Sequence, residues 1–415
     1  MVAGASRRHG GFARYGEQSQ PYSLKTRPIV LARHDAVTRA RPTVAKGAMM
    51  NLMVLVQHWS VFRRGQGFPH GGNPCPVVTD AAGLRPAQMQ AIAAHYGHES
   101  AFVTGAGAAG IQLRYFVPAH EVWMCVHATV AAVTALLGAG PAAGGETTAQ
   151  TASGDHRVSW SAAGPPGITD PLEVADPLGE LDRLEIAGSP EVPDPLGELD
   201  WLEIAGSPEV ADPPNVPDPP EVTVELQAPS FGPPAWDEDE TMAALGLPEE
   251  SVAAAAPIRP VSVARPKLIV PLSDADAVHT ARPDLPALWE LCRRLDTTGA
   301  YIFAPHPDGR RDHFVARQFP VDAGYPEDPA TGVAAAALAA YLADGLYPGQ
   351  PAWARITIDQ GDTMGRPSRL RAAALAGPGG IMRTSVTGRA VRTGQEELDL
   401  DALTRGRDLP EPELR

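Results

Sequence analysis

The sequence predicts an α/β protein of two pseudo-symmetric halves, each a curved sheet or barrel around one central helix. Two Ala-rich segments, 127–137 and 330–342, are apolar on nearly every face, and such helices are buried inside surrounding structure. Each segment follows a strand-like run and a loop, so the same arrangement occurs twice. With 415 residues, 44% of them hydrophobic, the chain is long enough to bury two such cores.

Short β-rich runs and amphipathic helices alternate along the rest of the chain. A helix is predicted over 85–97, where Met89, Ile92 and Tyr96 recur at helical spacing. The other predicted helices are 128–138, 286–296 and 330–343. The predicted strands are 53–57, 101–104, 112–116, 157–160, 222–226, 267–272, 300–304, 313–319 and 355–359.

The first 48 residues are rich in arginine and show no apolar periodicity. We expect residues 1–48 to be a disordered basic arm or an over-extended start, because Met49, Met50 and Met53 lie just before the first convincing strand. An arm that binds an anionic partner is the alternative interpretation.

Residues 163–221 contain an internal acidic repeat. The segment DPLGELDRLEIAGSPEV that begins at Asp176 returns 18 residues later at Asp194, with Trp201 in place of Arg183. Proline and glycine in each copy prevent long helices, and the acidic charges repel one another, so we expect a disordered insertion. A calcium-binding or partner-docking element is the alternative.

The insertion separates an N-terminal half at 49–162 from a C-terminal half at 222–375. Closing strands at 376–394 and a charged tail at 395–415 complete the predicted domain organisation.

Composition excludes several classes of protein. The net charge of −15 leaves no basic surface for nucleic acid, and the longest apolar runs, near 128–138 and 333–343, are too short to cross a bilayer. The chain has three cysteines and no CxxC or HExxH motif, which disfavours a disulfide framework and a zinc site. We therefore expect a cytoplasmic protein with no metal, no cofactor, and no nucleic-acid or membrane partner.

The starts of the two apolar helices form the candidate binding site. Free N–H groups and the helix dipole attract anions to a helix N-terminus. His127 lies at the first start, and Asp328 precedes the second. Asp followed by Pro329 is also a common N-cap pattern, so both residues are either structural or part of an anion site.

Several motifs occur in an order that resembles one known family. They are FPHGGNPCPVVTDAAGLRPAQMQAIAAHYGHESAFV from Phe68, LRYFVP from Leu113, CVHAT from Cys125, KLIVPL from Lys267, YPEDPATG from Tyr325 and QGDTMGRPS from Gln360. From about residue 52 to 394, with the acidic repeat as an interruption, the chain resembles the PhzF family. These are the phenazine-biosynthesis-type isomerases of the diaminopimelate-epimerase fold.

This resemblance implies a cofactor-independent isomerase that shifts a proton on a small carboxylate-bearing metabolite. Glu99 matches the family's acid/base position, and a carboxyl can both take and return a proton only if burial raises its pKa toward neutrality. His127 and Asp328 match positions that hold and polarise the substrate. The other implied substrate-binding residues are Asn73, Thr331 and Gly332. A homodimer is also expected.

Two residues depart from the family pattern. Val126 replaces the usual glycine before the histidine, which removes close backbone access, and Val333 replaces a serine, which removes a hydroxyl. The alternative function is therefore a catalytically inactive homologue that binds a small acid or a protein partner. A third interpretation is an interaction protein whose acidic repeat is the functional part.

The cysteines and one arginine complete the candidates. Cys125 has no counterpart cysteine in the second-half motif, so a two-thiol epimerase is not expected. Cys75 and Cys292 are predicted core residues. Arg366 is either an anion ligand or a residue that stabilises a turn.

Overall fold

A computed structural model describes residues 52–65, 70–138, 144–161, 219–234, 238–254, 256–345, 353–377, 380–405 and 411–414. In this part of the chain, one mixed sheet of 17 strands surrounds two long apolar helices.

The first half of the sheet holds one helix inside and one outside. Its strands are β1 (Met53–Val61), β2 (Asn73–Val78), β3 (Ser100–Gly107), β4 (Gly110–Phe116), β5 (Glu121–Val122), β6 (Gly145–Thr151), β7 (Gly154–Ser161) and β8 (Glu221–Leu226). Helix α1 (Pro86–Tyr96) packs on the outer face, and α2 (Val126–Leu137) is buried in the inner core.

The second half repeats this layering. Its strands are β9 (Ser230–Phe231), β10 (Arg259–Ser262), β11 (Pro266–Pro271), β12 (Gly299–Pro305), β13 (His313–Pro320), β14 (Trp353–Gln360), β15 (Ser368–Gly377), β16 (Gly380–Gly388) and β17 (Ala390–Asp399). Helices α3 (Glu238–Leu245), α4 (Ala275–Thr280) and α5 (Leu285–Arg294) cover the outer face, whereas α6 (Gly332–Ala343) lies in the inner core. The short helix α7 (Leu400–Thr404) follows β17.

The strand pairing shows that the two halves are alike. In the first half β2/β3 and β4/β6 are parallel, and β3/β4, β6/β7 and β7/β8 are antiparallel. In the second half β11/β12 and β13/β14 are parallel, and β12/β13, β14/β15 and β15/β16 are antiparallel. Each parallel pair requires a crossover connection, and the second crossover of each half contains the central helix. The predicted two-half fold is confirmed.

The halves join through two strand pairs into one sheet. Strand β8 pairs with β7 of the first half and with β16 of the second, and β1 pairs with β17. Because β8 pairs with strands of both halves, the sheet does not mark a boundary between two domains. The domain boundaries predicted from the sequence therefore stay predictions. Residues 1–48 and most of 163–221 lie outside the described residues. None of the helices in the described ranges is long and apolar enough to cross a membrane.

Every helix and strand that the sequence predicts overlaps an observed element. The sequence patterns missed β2, which alternates Pro74 and Pro76 with apolar residues, and β6, which is rich in threonine. They also missed the short helices α3 and α4. Proline removes a ladder hydrogen bond and normally argues against a strand interior, which explains the first omission.

The ends of the acidic insertion meet in the sheet. Ser161 and Glu221 are directly paired at the end of the antiparallel β7/β8 ladder. We predict that replacing 162–220 by Asn-Gly, a two-residue hairpin turn, changes the melting temperature by no more than a few degrees, because the sheet pairs remain. Scanning calorimetry measures this.

A register control accompanies the deletion. Removing Ser161 as well joins residue 160 to the turn and shifts the β7/β8 register by one residue, which would expose the buried face of β8. That variant should lose much of its stability. If the in-register deletion unfolds like the shifted one, residues 162–220 are needed for folding.

Candidate active site

The N-termini of the two central helices meet at the junction of the halves. Helix α2 is capped by Cys125, whose sulfur accepts the Ala128 N–H at 3.3 Å, whereas Thr331 occupies the N-cap position of α6 without a side-chain capping hydrogen bond. A Cβ added to Gly332 would lie 2.5 Å from Cβ of Val126, so only glycine fits opposite this valine. The two helix dipoles therefore place their positive ends side by side.

Glu99 lies beside this junction. It precedes β3, after Gly97 ends α1 in the left-handed conformation with φ of 69°. Its side chain is buried, Oε2 lies 3.8 Å from Nδ1 of His127, and Oε1 has no hydrogen-bond partner among the described residues. Burial raises the pKa of Glu99 to about 7, while the Arg265 guanidinium acts in the opposite direction.

Asp328 is the matching carboxylate from the second half. Its Oδ1 accepts the Asn73 amide at 2.7 Å, and its Oδ2 accepts the Thr331 hydroxyl. Burial raises its pKa to about 6, and the two hydrogen bonds limit the rise. Asn73 also donates to the Ala330 carbonyl at 2.9 Å, so one amide fixes the segment that starts α6.

The Asn73 amide depends on the turn before β2. Gly72 has φ of 85°, and a Cβ there would lie 2.3 Å from Oγ of Ser60. Only glycine combines this backbone conformation with so close an approach. The Gly-Asn pair therefore places the amide between Asp328 and His127, whose Nδ1 lies 3.5 Å away.

His127 is neutral in this site. Its ring is 2% exposed, and burial lowers its pKa to about 3. The Cys125 sulfur lies 3.1 Å from its Nδ1. Burial and the nearby Glu99 raise the pKa of the Cys125 thiol well above its ordinary value, so this cysteine remains protonated and is no thiolate nucleophile.

A further set of hydrogen bonds around the site, made by Gln360, was not predicted from the sequence. The Gln360 amide donates to the Asp328 carbonyl at 2.6 Å, and its oxygen accepts the Thr331 N–H at 3.3 Å and the Tyr301 hydroxyl at 3.2 Å. Gln360 had appeared only as part of a matching motif. Gln360 belongs to the site because the end of β14 lies beside the start of α6, and the sequence does not show this proximity.

The structure thus brings together all six site residues predicted from the sequence. They are Asn73, Glu99, His127, Asp328, Thr331 and Gly332. Arg366 instead lines a cavity of about 340 Å³ with His98 and Cys75. Val126 and Val333 are buried at the two helix starts.

In the described part of the chain, two groups of side chains have the spacing of metal ligands, although the sequence showed no spaced metal motif. Glu99, Cys125 and His127 form one, inside the site, and His306, Asp308 and His313 form the other, at the ends of β12 and β13. The ligand atoms of each group lie within 4.8 Å of one another. In the second group the two imidazoles stack with centroids 3.8 Å apart.

The fold is an α/β arrangement of two sheet-wrapped helices whose starts meet beside a pair of buried carboxyls. The family model described as phenazine biosynthesis-like protein matches residues 67–177 and 210–395 and omits the middle of the acidic repeat. The chain belongs to this PhzC-PhzF family. The resemblance stated from the motifs is therefore confirmed.

Relatives and solved structures agree with this assignment. An uncharacterized isomerase of Deinococcus radiodurans is 31% identical over 308 residues, which cover 73% of this chain and 82% of the relative. The uncharacterized isomerase YddE of Escherichia coli K12 is 27% identical over 78% of this chain and 92% of its own length. A PhzF-family crystal structure from Bacillus anthracis has a TM-score of 0.62 at 20% identity and covers 84% of this chain and 99% of its own. The prediction of an isomerase-class enzyme is confirmed at the level of the family.

Proposed function

We propose that this protein is a cofactor-independent isomerase that moves a proton within a small carboxylate-bearing metabolite. One observation supports this most directly. Glu99 is a buried carboxyl whose pKa is about 7 and whose Oε1 has no partner among the described residues. Such a group holds and releases a proton near neutral pH, which is what a single acid/base residue requires.

The reaction proceeds in two proton transfers. The Glu99 carboxylate removes a proton from an sp3 carbon, and the C–H electron pair delocalises into the adjacent conjugated carboxylate of the substrate. The protonated Glu99 then returns the proton to another carbon on the same face. Nothing is oxidised or reduced, and the enzyme regains its starting state.

The other residues bind and orient the substrate. N–H groups at the paired helix N-termini stabilise the negative charge that develops on the substrate carboxylate. The neutral imidazole of His127 offers a donor and an acceptor beside Glu99. Asp328, fixed by Asn73 and Thr331, accepts a hydrogen bond from the substrate.

Solvent exchange tests the proposal directly. The protein is incubated in D2O with a panel of cyclic, aromatic and aliphatic carboxylic acids, and deuterium incorporation at carbon is followed by NMR. At least one acid should incorporate deuterium and rearrange. Binding of acids without any exchange would contradict the proposal and support the inactive homologue.

The pH dependence of kcat/KM for exchange should follow the ionisation of the Glu99 carboxyl. Because the base must be ionised, kcat/KM should rise about tenfold per pH unit between pH 6 and 7 and level off above pH 7, and protonation of Asp328 should steepen the fall below about pH 6. An acid whose own pKa lies well below 5 serves as substrate, so that only the protein titrates. A rising limb centred near 4.5, the ordinary glutamate value, would contradict this assignment.

A further inference from the structure

The turn between β14 and β15 is held together without the side chain of Arg366. The Arg366 N–H donates to the Gly361 carbonyl at 2.9 Å, and the Ser368 hydroxyl donates to the Arg366 carbonyl at 2.9 Å. Gly361 has φ of 86°, and a Cβ at this position would clash with the Arg366 carbonyl oxygen. The sequence left two roles open for Arg366, and these contacts do not support the one of stabilising the turn.

The Arg366 guanidinium is a cation without a counter-charge. In the described part of the chain it forms no hydrogen bond and no ion pair, and its side chain is half-buried in the wall of the cavity of about 340 Å³. A carboxylate beside the same wall, that of Glu396, is already engaged, because it accepts the Tyr96 hydroxyl at 2.9 Å and lies 3.0 Å from Nε2 of His58. A cation of this kind can pair with an anionic ligand in the cavity.

The other walls of this cavity are largely aromatic and apolar. Trp59 and Tyr96 contribute aromatic rings, and Pro74 and Pro76 contribute rings that lack an N–H group. The imidazole of His98, which forms no hydrogen bond among the described residues, adds one more polar group. Apolar walls with a few polar groups are typical of small-molecule sites of this volume.

The strand pairing places the cavity beside the candidate active site. Strand β2 pairs with β3 only at residues 77–78, so the two strands separate toward their neighbours in the site. Pro74, in one wall, directly follows Asn73, and His98, in another, directly precedes Glu99. The cavity therefore shares two of its walls with segments that carry site residues.

The turn that carries Arg366 contacts both halves of the site. The Pro367 carbonyl accepts the Gly72 N–H at 3.2 Å. On the other side, a Cβ added to Gly361 would lie 2.8 Å from the Pro329 carbonyl oxygen, so the turn packs directly against the segment before α6. Gly72 and Pro329 are the sequence neighbours of the site residues Asn73 and Asp328.

We propose that this cavity binds a small carboxylic acid with an apolar, ring-sized body, and that Arg366 pairs with the carboxylate. A planar guanidinium fits a carboxylate through two parallel hydrogen bonds, and the aromatic walls cover the body of the acid. Because the chain as a whole carries a net charge of −15, a cation beside the site raises the local concentration of an acid there. That the bound acid is the substrate, held before its carboxylate reaches the helix N-termini, rests on the proposed function.

Calorimetric titration with three probes of the full chain tests the inference. Benzoate has both the carboxylate and the ring, benzamide has the ring without the charge, and acetate has the charge without the ring. The wild-type protein should bind benzoate about tenfold or more tightly than either of the others, as expected for a hydrogen bond between charged groups. R366Q should weaken benzoate binding about tenfold and leave benzamide binding unchanged.

Control variants separate the charge, the cavity and the fold. R366K keeps the charge without the planar guanidinium and should retain part of the benzoate preference. T393W adds a large side chain at an exposed position that lines the cavity, and it should weaken benzoate and benzamide alike. R383M removes an arginine of β16 that is 56% exposed and should leave all affinities unchanged. R366Q should melt at the wild-type temperature, because the guanidinium has no partner in the described chain.

The outcomes distinguish this inference from the proposed function. Absence of benzoate binding at millimolar concentration, equal affinity for benzoate and benzamide, or unchanged benzoate affinity in R366Q and T393W overturns the cavity assignment even if deuterium exchange is observed. A benzoate preference that R366Q abolishes, without exchange of any acid, upholds the cavity site and contradicts the isomerase.

Discussion

Replacing Glu99 by glutamine is expected to lower the rate of solvent-deuterium exchange by a factor of roughly 10² to 10⁴, the usual contribution of a general acid/base. Glutamine keeps the shape of the side chain but cannot carry the proton between two carbons. The buried site should accept it readily, because glutamine removes a carboxylate whose ionisation is already opposed by burial. Exchange is measured by NMR at several enzyme concentrations.

The matched control is Glu121→Gln, which alters a buried glutamate of the same half that pairs with Arg114 instead of the site residues. Its exchange rate should stay near the wild-type value. Substrate affinity of Glu99→Gln should remain within a few-fold of the wild type. Exchange that persists at the wild-type rate in Glu99→Gln would remove this residue from the reaction.

Gly332→Ala is expected to destabilise the protein by about 1–3 kcal/mol, the usual cost of overpacking a full core. The added methyl carbon would lie 2.5 Å from Cβ and 2.6 Å from Cγ1 of Val126, and both residues belong to buried helix starts. Val126→Gly in the same chain should relieve this clash. The double variant should therefore be more stable than the sum of the single changes by about 1 kcal/mol or more.

Urea denaturation of the four proteins gives the coupling free energy. Gly83→Ala is the control, because a Cβ at Gly83 meets no atom within 4 Å, and its stability should change little. Strictly additive effects at Val126 and Gly332 would contradict the observed contact. Solvent-deuterium exchange measured on the same four proteins shows whether a shift of the α6 N-terminus also lowers the exchange rate.

Much of the fold was predictable because its central elements are extreme in composition. A helix such as α6, buried from Gly332 to Leu342, has no polar face, and only a surrounding sheet can cover it. The way the two halves pair was harder to predict from the sequence, because it depends on β8 and β17, whose partner strands lie far away in the chain.

The site was predictable to the extent that its residues fall in ordered motifs. Glu99, His127 and Asp328 each belong to such a segment, and the structure brings them together. Lys267 appeared in the sequence only as the first residue of the matching motif KLIVPL. That it is buried and paired with Val261 of the inner core follows from the register of β10 and β11, which sequence periodicity does not give.

The pairing of β1 with β17 has a consequence for synthesis of the protein on the ribosome. Strand β1 is among the first elements to emerge, yet one of its edges receives its partner only when residues 390–399 have left the exit tunnel. Until then, an open strand edge is available for pairing with other chains. Nascent chains that end before residue 390 should therefore aggregate or recruit chaperones, and the native fold should form late, with the slow kinetics of long-range strand pairing.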